Sequence, residues 1–96
     1  MGAVRDLVAR HARDVRELLA THNAKDIRLF GSGARGDDGP RSDIDFLVEF
    51  APGASILDQV HLEEDLRRLL GRKVDVVPLG ALKARDHHLI EESLPL

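Results

Sequence analysis

The segment formed by residues 43–50 constrains the fold of this chain more than any other. Apolar side chains occupy every second position and mostly acidic ones lie between them: Ile44, Phe46, Val48 and Phe50 alternate with Asp43, Asp45, Leu47 and Glu49. Successive side chains of a β-strand point to opposite faces, so this period of two predicts a half-buried strand. One face then enters a hydrophobic core and the other presents carboxylates.

The first half of the chain contains two further patterned stretches and a loop. Apolar residues at helical spacing predict an amphipathic helix over residues 4–21. A short apolar run predicts a strand over residues 27–30, which a glycine ends. Gly, Ser, Asp and Pro dominate residues 31–42, which predicts a loop with room for one helical turn.

The second half predicts a helix, a strand and a last helix. A capping-box pattern opens a helix over residues 55–70, and a glycine follows its end. An apolar run with Asp75 at its middle predicts a strand over residues 73–77, and helical spacing returns over residues 81–93. This order of elements implies one α/β (α+β) domain over residues 1–96, a small mixed β-sheet with helices packed on one side.

Composition narrows the class of protein. A net charge of −3, three Phe and no Trp or Tyr give neither a basic patch nor a stacking platform, so direct nucleic-acid binding is not expected. The absence of cysteine excludes disulfides and thiolate metal sites. With no signal-like start and no apolar run approaching about 18 residues, we expect a soluble cytoplasmic protein that does not enter the membrane.

Three aspartates form the first part of a candidate site. Asp43 and Asp45 are two apart on a predicted strand, so their side chains point the same way and both can bind one divalent ion or bridge two. Asp75 would add a third carboxylate on the same face. Carboxylates held close raise one another's pKa values, and a hard cation such as Mg²⁺ relieves that repulsion.

A Gly-Ser pair, separated from Asp43 by ten residues, forms the second part. Gly31 allows close approach of the backbone to a phosphate, and the N–H groups that follow, with the Ser32 hydroxyl, can donate to phosphate oxygens. Arg35 lies three residues further on and could neutralise charge on a leaving pyrophosphate. Each feature alone is compatible with a turn or a solvated surface, but together they indicate one site for a nucleotide and a metal.

These motifs resemble the signature of a known superfamily. The strings Phe30-Gly31-Ser32, Asp43-Ile44-Asp45-Phe46 and Val74-Asp75-Val76 resemble that of the DNA polymerase β-like nucleotidyltransferases. Within that superfamily, the short length and two longer strings resemble the minimal nucleotidyltransferase (MNT) branch: Gly31-Ser32-Gly33-Ala34-Arg35-Gly36 and Ser42-Asp43-Ile44-Asp45-Phe46-Leu47-Val48. The resemblance covers nearly the whole chain and implies the polymerase β-like nucleotidyltransferase fold.

The resemblance also implies roles for the site residues. Asp43 and Asp45 would hold two Mg²⁺ ions, and Asp75 would bind one of them and is a candidate general base. Gly31 and Ser32 would contact the triphosphate of ATP, the expected substrate.

Members of the MNT branch are commonly encoded beside HEPN-domain proteins. The HEPN protein is then an RNase toxin and the MNT protein its antitoxin, which implies a hetero-oligomer and transfer of AMP to a tyrosine hydroxyl of the toxin.

Two other functions remain open at this point. The chain could be an antitoxin that neutralises its toxin by binding alone, although a complete set of three aspartates argues against this. It could instead modify a small hydroxyl compound of the aminoglycoside kind, although the chain has no additional C-terminal domain to hold such an acceptor. The sequence leaves the acceptor, and the choice of ATP over other nucleoside triphosphates, undecided.

Overall fold

The strands of the chain form one mixed sheet. The computed structural model describes residues 2–36, 39 and 42–96. Its elements in chain order are α1 (Ala3–Arg10), α2 (Ala12–Thr21), β1 (Ala24–Phe30), α3 (Gly31–Arg35), β2 (Ile44–Phe50), α4 (Ile56–Leu70), β3 (Val74–Pro78), α5 (His87–Glu92) and β4 (Leu94–Pro95). Two short 3₁₀ turns, Leu79–Ala81 and Ala84–Asp86, connect β3 to α5.

The sheet has the strand order β3-β2-β1-β4. The pair β2–β3 is parallel because α4 forms the crossover between these strands, whereas β1 runs antiparallel to both β2 and β4. The predicted mixed sheet is therefore confirmed, and β2 lies inside it. The two-residue strand β4 was not predicted, because so short a segment containing a proline has no strand pattern.

One face of the sheet packs against α1, α2 and α4. The side chains that form this core are aliphatic except for one phenylalanine: Val4, Val8, Val15, Leu19, Ile27, Leu29, Ala34, Ile44, Phe46, Val48, Leu62, Leu66, Leu70, Val74 and Val76. The apolar positions of β2 enter this core, as the alternation predicted. Among the described residues, no helix has the length and apolar character needed to cross a membrane.

The helix predicted over residues 4–21 is in fact two helices that meet at His11. The His11 N–H bonds the Val8 carbonyl (3.1 Å), and a ring nitrogen of His11 lies 2.9 Å from the Leu7 carbonyl oxygen. In an unbroken helix that Leu7 carbonyl would accept the His11 N–H instead. The side chain therefore replaces a backbone hydrogen bond at the break, and both halves still turn their valines to the core.

The ends of α4 confirm the sequence interpretation. The Asp58 N–H donates to the Ser55 hydroxyl (3.4 Å), and the Ser55 N–H donates to the Asp58 carboxylate (2.9 Å), which together make the capping box. Gly71 follows the helix with φ = +65°, a left-handed conformation that glycine adopts at little cost.

The last predicted helix is wrong in extent. Residues 84–86 form a 3₁₀ turn, and the α-helix covers only His87–Glu92. The Lys83 N–H donates to the Asp86 carboxylate (3.1 Å), which stabilises the tight turn before the helix. Ser93 ends it, since its hydroxyl donates to the Ile90 carbonyl (2.5 Å) before the chain joins the sheet as β4.

The outer edge of β3 is covered by side chains of α4. The Val76 N–H donates to the Glu63 carboxylate (2.9 Å), and Arg67 donates to the Val74 carbonyl (3.0 Å). Arg67 also pairs with Glu63 at 2.9 Å. These bonds satisfy backbone groups that an edge strand would otherwise leave open, and they fix the strand that carries Asp75.

Candidate active site

Asp45 lies on the carboxylate face of the sheet, between the end of β1 and the strand β3. Its register partners are Phe30 at the end of β1 and Asp75 in β3. Residues directly opposite one another project to the same face, and adjacent strands are about 4.8 Å apart. The structure thus brings Asp45 and Asp75 together on one face, as the alternation of the two strands predicted.

Asp43 lies just before β2 and is exposed. Its carboxylate is 3.7 Å from the ammonium nitrogen of Lys73, and the Ile44 N–H donates to the Lys73 carbonyl at 2.9 Å. The parallel pairing of β2 with β3 therefore continues one residue beyond the strands. The pair Asp43–Asp45 runs beside the pair Lys73–Asp75.

The charges of these side chains act on one another. Partial burial raises the pKa of the Asp45 carboxyl, and the negative charges of Asp75 and Asp43 raise it further. The positive charge of Arg35 acts in the opposite direction and lowers the pKa. Asp43, Asp75 and Arg35 therefore all lie close enough to Asp45 to change its ionisation.

Gly31 joins β1 to α3 directly beside Asp45. Its φ is +70°, which side chains rarely adopt. A Cβ atom on Gly31 would also lie 2.6 Å from an Asp45 carboxylate oxygen, closer than real Cβ contacts permit. Glycine suits this position by its backbone conformation, and an added Cβ atom would displace the Asp45 carboxylate.

Ser32 and Arg35 both lie in α3, which is the single helical turn expected within the predicted loop. Ser32 is half-buried and Arg35 is exposed. Gly36 ends the helix in a left-handed conformation (φ = +79°), and its N–H donates to the Ser32 carbonyl at 3.0 Å. The structure therefore gathers the Gly-Ser pair, Arg35 and the aspartates at one end of the sheet.

The donor set suits a hard divalent cation. Carboxylate oxygens are the ligands that Mg²⁺ prefers, and a cation would offset the burial and the neighbouring negative charges that raise the pKa of Asp45. In the part of the chain that the structure describes, no three His, Asp or Glu side chains are already arranged around one point. Asp43 pairs with Lys73 at 3.7 Å, so a cation bound by Asp43 would compete with that ion pair.

Lys73 is the charged neighbour of the site that the sequence interpretation missed. The available signal was the spacing: Lys73 and Asp75 are two apart, as Asp43 and Asp45 are, and the two strands run in parallel. Arg72 also contributes, since it donates to the Ser42 carbonyl and ties the segment before Asp43 to the turn before β3.

Comparisons with known proteins agree with this geometry. The model of the nucleotidyltransferase domain family matches residues 8–95. A candidate protein adenylyltransferase of Methanocaldococcus jannaschii is 38% identical over 82 residues, which are 85% of this chain and 84% of that protein. The protein adenylyltransferase MntA of Thermococcus cleftensis is 36% identical over 81 residues, or 84% of this chain and 79% of the relative.

Solved structures share the fold. A candidate minimal nucleotidyltransferase superposes with a TM-score of 0.85 at 39% identity, covering 100% of this chain and 97% of the other. A variant of the toxin–antitoxin complex MntA–HpeT gives 0.71 at 25% identity, covering 88% and 70%. An AMPylated Shewanella oneidensis HEPN toxin bound to an MNT antitoxin gives 0.67 at 21% identity, covering 91% and 69%, a likeness of fold.

The match of the family model to most of the chain, the relatives named as adenylyltransferases and the assembled Gly-Ser and aspartate motifs lead to one conclusion. This chain belongs to the nucleotidyltransferase domain family, in its minimal form, and is a nucleotidyltransferase.

Proposed function

We propose that this chain transfers AMP from ATP to a hydroxyl group of a partner protein, a HEPN-type toxin, and thereby acts as its antitoxin. The observation that carries the proposal is the contact between Gly31 and Asp45, with Asp75 as the register partner of Asp45. A turn suited to phosphate and a carboxylate cluster suited to a cation therefore share one end of one sheet face. The relatives named as protein adenylyltransferases point to a protein acceptor.

The proposed reaction is an in-line substitution at the α-phosphorus of ATP. The acceptor oxygen forms a bond to that phosphorus, the bond to the bridging oxygen of the β-phosphate breaks, and pyrophosphate leaves. The acceptor proton moves to a base, for which Asp75 is the candidate, because it is the carboxylate furthest across the sheet from the Gly-Ser turn. Arg35 can balance negative charge on the leaving pyrophosphate.

Magnesium fits this arrangement through the three aspartates. Asp43, Asp45 and Asp75 would hold it, and when bound it supplies charge neutralisation and orientation of the triphosphate. The chain's own contribution is to keep these carboxylates beside Gly31 and Ser32. Burial, followed by the negative charges of Asp75 and Asp43, raises the pKa of Asp45, and a bound cation would offset that cost.

The proposal of a HEPN-type toxin as partner rests on solved complexes of similar proteins. Complexes of this fold with toxins exist, and one of those toxins is an AMPylated HEPN protein. The short chain has a small sheet with its carboxylate cluster at one end, so the partner would supply much of the wall around the acceptor. We therefore expect a hetero-oligomer in which the modified hydroxyl, a tyrosine by the family resemblance, enters the site from the toxin.

The direct test is a transfer assay with the protein encoded by the neighbouring reading frame. The two purified proteins are incubated with ATP and Mg²⁺, and the partner is weighed by mass spectrometry. We expect additions of one AMP unit per modified hydroxyl and none when Asp45→Asn replaces the wild-type chain. Addition of phosphate alone would contradict the proposed reaction.

A matched variant and a growth assay separate catalysis from binding. Asp14→Asn removes an exposed carboxylate on α2, which packs on the opposite face, and should leave AMP transfer intact. If the Asp45→Asn chain still protects cells from the toxin as well as wild type, neutralisation by binding alone explains the antitoxin. If the partner is never modified but an aminoglycoside-like compound is, the acceptor is a small molecule.

A further inference from the structure

Arg5 reaches from α1 to the end of α3. Its guanidinium donates to the Ala34 carbonyl, and its Nε donates to the Gly33 carbonyl at 3.4 Å. A Cβ atom on Gly36 would lie 3.7 Å from the Arg5 guanidinium carbon, so the charged group also lies against the residue that ends α3. One side chain of the first helix therefore lies against Gly33, Ala34 and Gly36 around the last turn of α3.

These contacts satisfy groups that a helix end leaves open. The last carbonyls of a helix have no partner within it, and a cation near them is favourable. In α3 the Gly36 N–H donates to the Ser32 carbonyl at 3.0 Å, and Arg5 donates to the next two carbonyls, those of Gly33 and Ala34. A helix of five residues is far too short to be stable alone, so its position depends on such external contacts.

Close packing of Gly33 against α1 and β1 also holds α3 in place. A Cβ atom on Gly33 would lie 2.7 Å from a Val4 methyl group and 3.3 Å from a Leu29 methyl group. Val4 and Leu29 are both buried, the first in α1 and the second in β1. The backbone of α3 thus packs directly on α1 and β1, and the Arg5 hydrogen bonds add to this packing.

Both ends of the short helix α3 face the candidate active site. Gly31 abuts the Asp45 carboxylate, and the charge of Arg35 acts on Asp45. Among the described residues, the hydrogen bonds of the Arg5 side chain go to α3 and not to the three aspartates. A small rotation of α3 would move Ser32 and Arg35 relative to Asp45, and displacements of about 1 Å can lower a rate by about 100-fold.

We propose that Arg5 is a positioning residue for nucleotide transfer, which sets the place of Gly31, Ser32 and Arg35 against Asp45 by holding the carbonyl end of α3. The inference rests on the proposed function for its kinetic consequence. It predicts that the phosphate-binding turn depends on a side chain that contacts no reacting group.

The test compares Arg5→Met, which keeps the aliphatic stem, with Arg5→Lys, which keeps the charge and one donor group. We expect Arg5→Met to lower kcat/KM for ATP by about 10- to 100-fold, mainly through a higher KM, because the turn contacts ATP before the reaction. Arg5→Lys should recover part of the loss. Binding of a non-hydrolysable ATP analogue with Mg²⁺, measured by calorimetry, should weaken in parallel.

Two control variants on the same helix identify a merely structural effect. Val8→Ala removes buried core volume from α1, and Arg10→Met removes an exposed charge from its last turn. Both should leave the KM for ATP within about twofold of wild type at a temperature well below unfolding. An Arg5→Met chain that loses no more ATP affinity than Val8→Ala at equal thermal stability would overturn the inference.

A third measurement needs no activity. In ¹⁵N–¹H spectra of the nucleotide-free protein, Arg5→Met should displace the amide signals of Gly31, Ser32 and Arg35, and Arg5→Lys should displace them less. Unchanged signals overturn the positioning role. If the wild-type chain transferred no AMP while Arg5→Met still displaced these signals, the proposed function would be contradicted and the role of Arg5 would remain supported.

Discussion

The two faces of β2 differ in what they do for the protein. On one face Ile44, Phe46 and Val48 are each 0% exposed and lie in the hydrophobic core. On the other face Asp45 lies among like charges, and burial together with these charges raises the pKa of its carboxyl. Seven residues of one strand thus stabilise the fold on one side and oppose it on the other. Active sites often accept such a loss of stability because the crowded groups serve the reaction.

The carboxylate face is itself divided. Leu47, the next residue of β2 on that face, is 1% exposed. Its register partner Arg28 donates to the Ser93 hydroxyl at 2.6 Å, and α5 contacts both β1 and α3. The C-terminal segment therefore covers the part of this face beside Leu47, and the aspartates lie at the end beyond it.

The largest effect is expected from the charge of Asp75. Replacing it by asparagine keeps the size but removes the candidate base, so AMP transfer should fall by about 10²–10⁴-fold. Binding of ATP with Mg²⁺ should weaken only moderately, because Asp43 and Asp45 remain, and binding to the partner should persist. Transfer rate and calorimetric affinity measured on the same samples test this, and unchanged turnover would remove Asp75 from the mechanism.

The next effect concerns the opposite face. Phe46→Ala should lower the free energy of unfolding by about 3–5 kcal/mol, the range for a buried aromatic side chain. Urea denaturation followed by circular dichroism gives the value. Phe46→Leu should lose less and keep AMP transfer near the wild-type level at low temperature. Loss of transfer in a folded Phe46→Leu chain would show that the two faces are not independent.

Stability should also depend on pH in a way that reveals the crowding around Asp45. Its pKa in the folded chain lies above 3.8, the value expected when unfolded, so ionisation opposes folding. This destabilisation is absent below pH 3.8 and increases as the pH rises through the folded pKa. Without divalent cations, Asp45→Asn should therefore become more stable than wild type as the pH rises, measured by thermal unfolding from pH 3 to 7.

Asp58 provides the control of opposite sign. The Ser55 N–H, followed by the Asn23 side chain, lowers the pKa of the Asp58 carboxyl below 3.8. Its stabilisation is therefore present above pH 3.8 and is lost as the pH falls through the lower folded value. Asp58→Asn should be less stable than wild type near neutral pH and approach it in acid. Parallel curves for the Asp45 and Asp58 variants would contradict both assignments.

The smallest effect is expected at Lys73. Its ammonium group is 3.7 Å from the Asp43 carboxylate, and both side chains are well exposed, so the pair contributes about 0.2–1 kcal/mol. Lys73→Met frees Asp43 and should raise the affinity for Mn²⁺, a spectroscopic substitute for Mg²⁺, by up to about fivefold at low salt. Electron paramagnetic resonance of free Mn²⁺ measures it, and the gain should shrink at high salt. Weaker Mn²⁺ binding would mean that Lys73 supports the site.

Local patterns were sufficient for much of this protein. The alternation in β2, the capping box at Ser55 and the glycine that follows α4 at Gly71 depend on neighbours in the chain, so local patterns were enough to predict them. The placement of Asp45 and Asp75 on one face also followed, since a period of two fixes which side chains share a face.

Contacts between distant segments were decided only by the tertiary structure. The strand β4 and the reach of Arg5 to α3 have no local signature. Arg5 and Gly33 are 28 residues apart, and nothing in either neighbourhood encodes the other. Periodicity reports which face of an element is buried, whereas the partner across a contact depends on how the elements pack, and that arrangement arises only when the whole core forms.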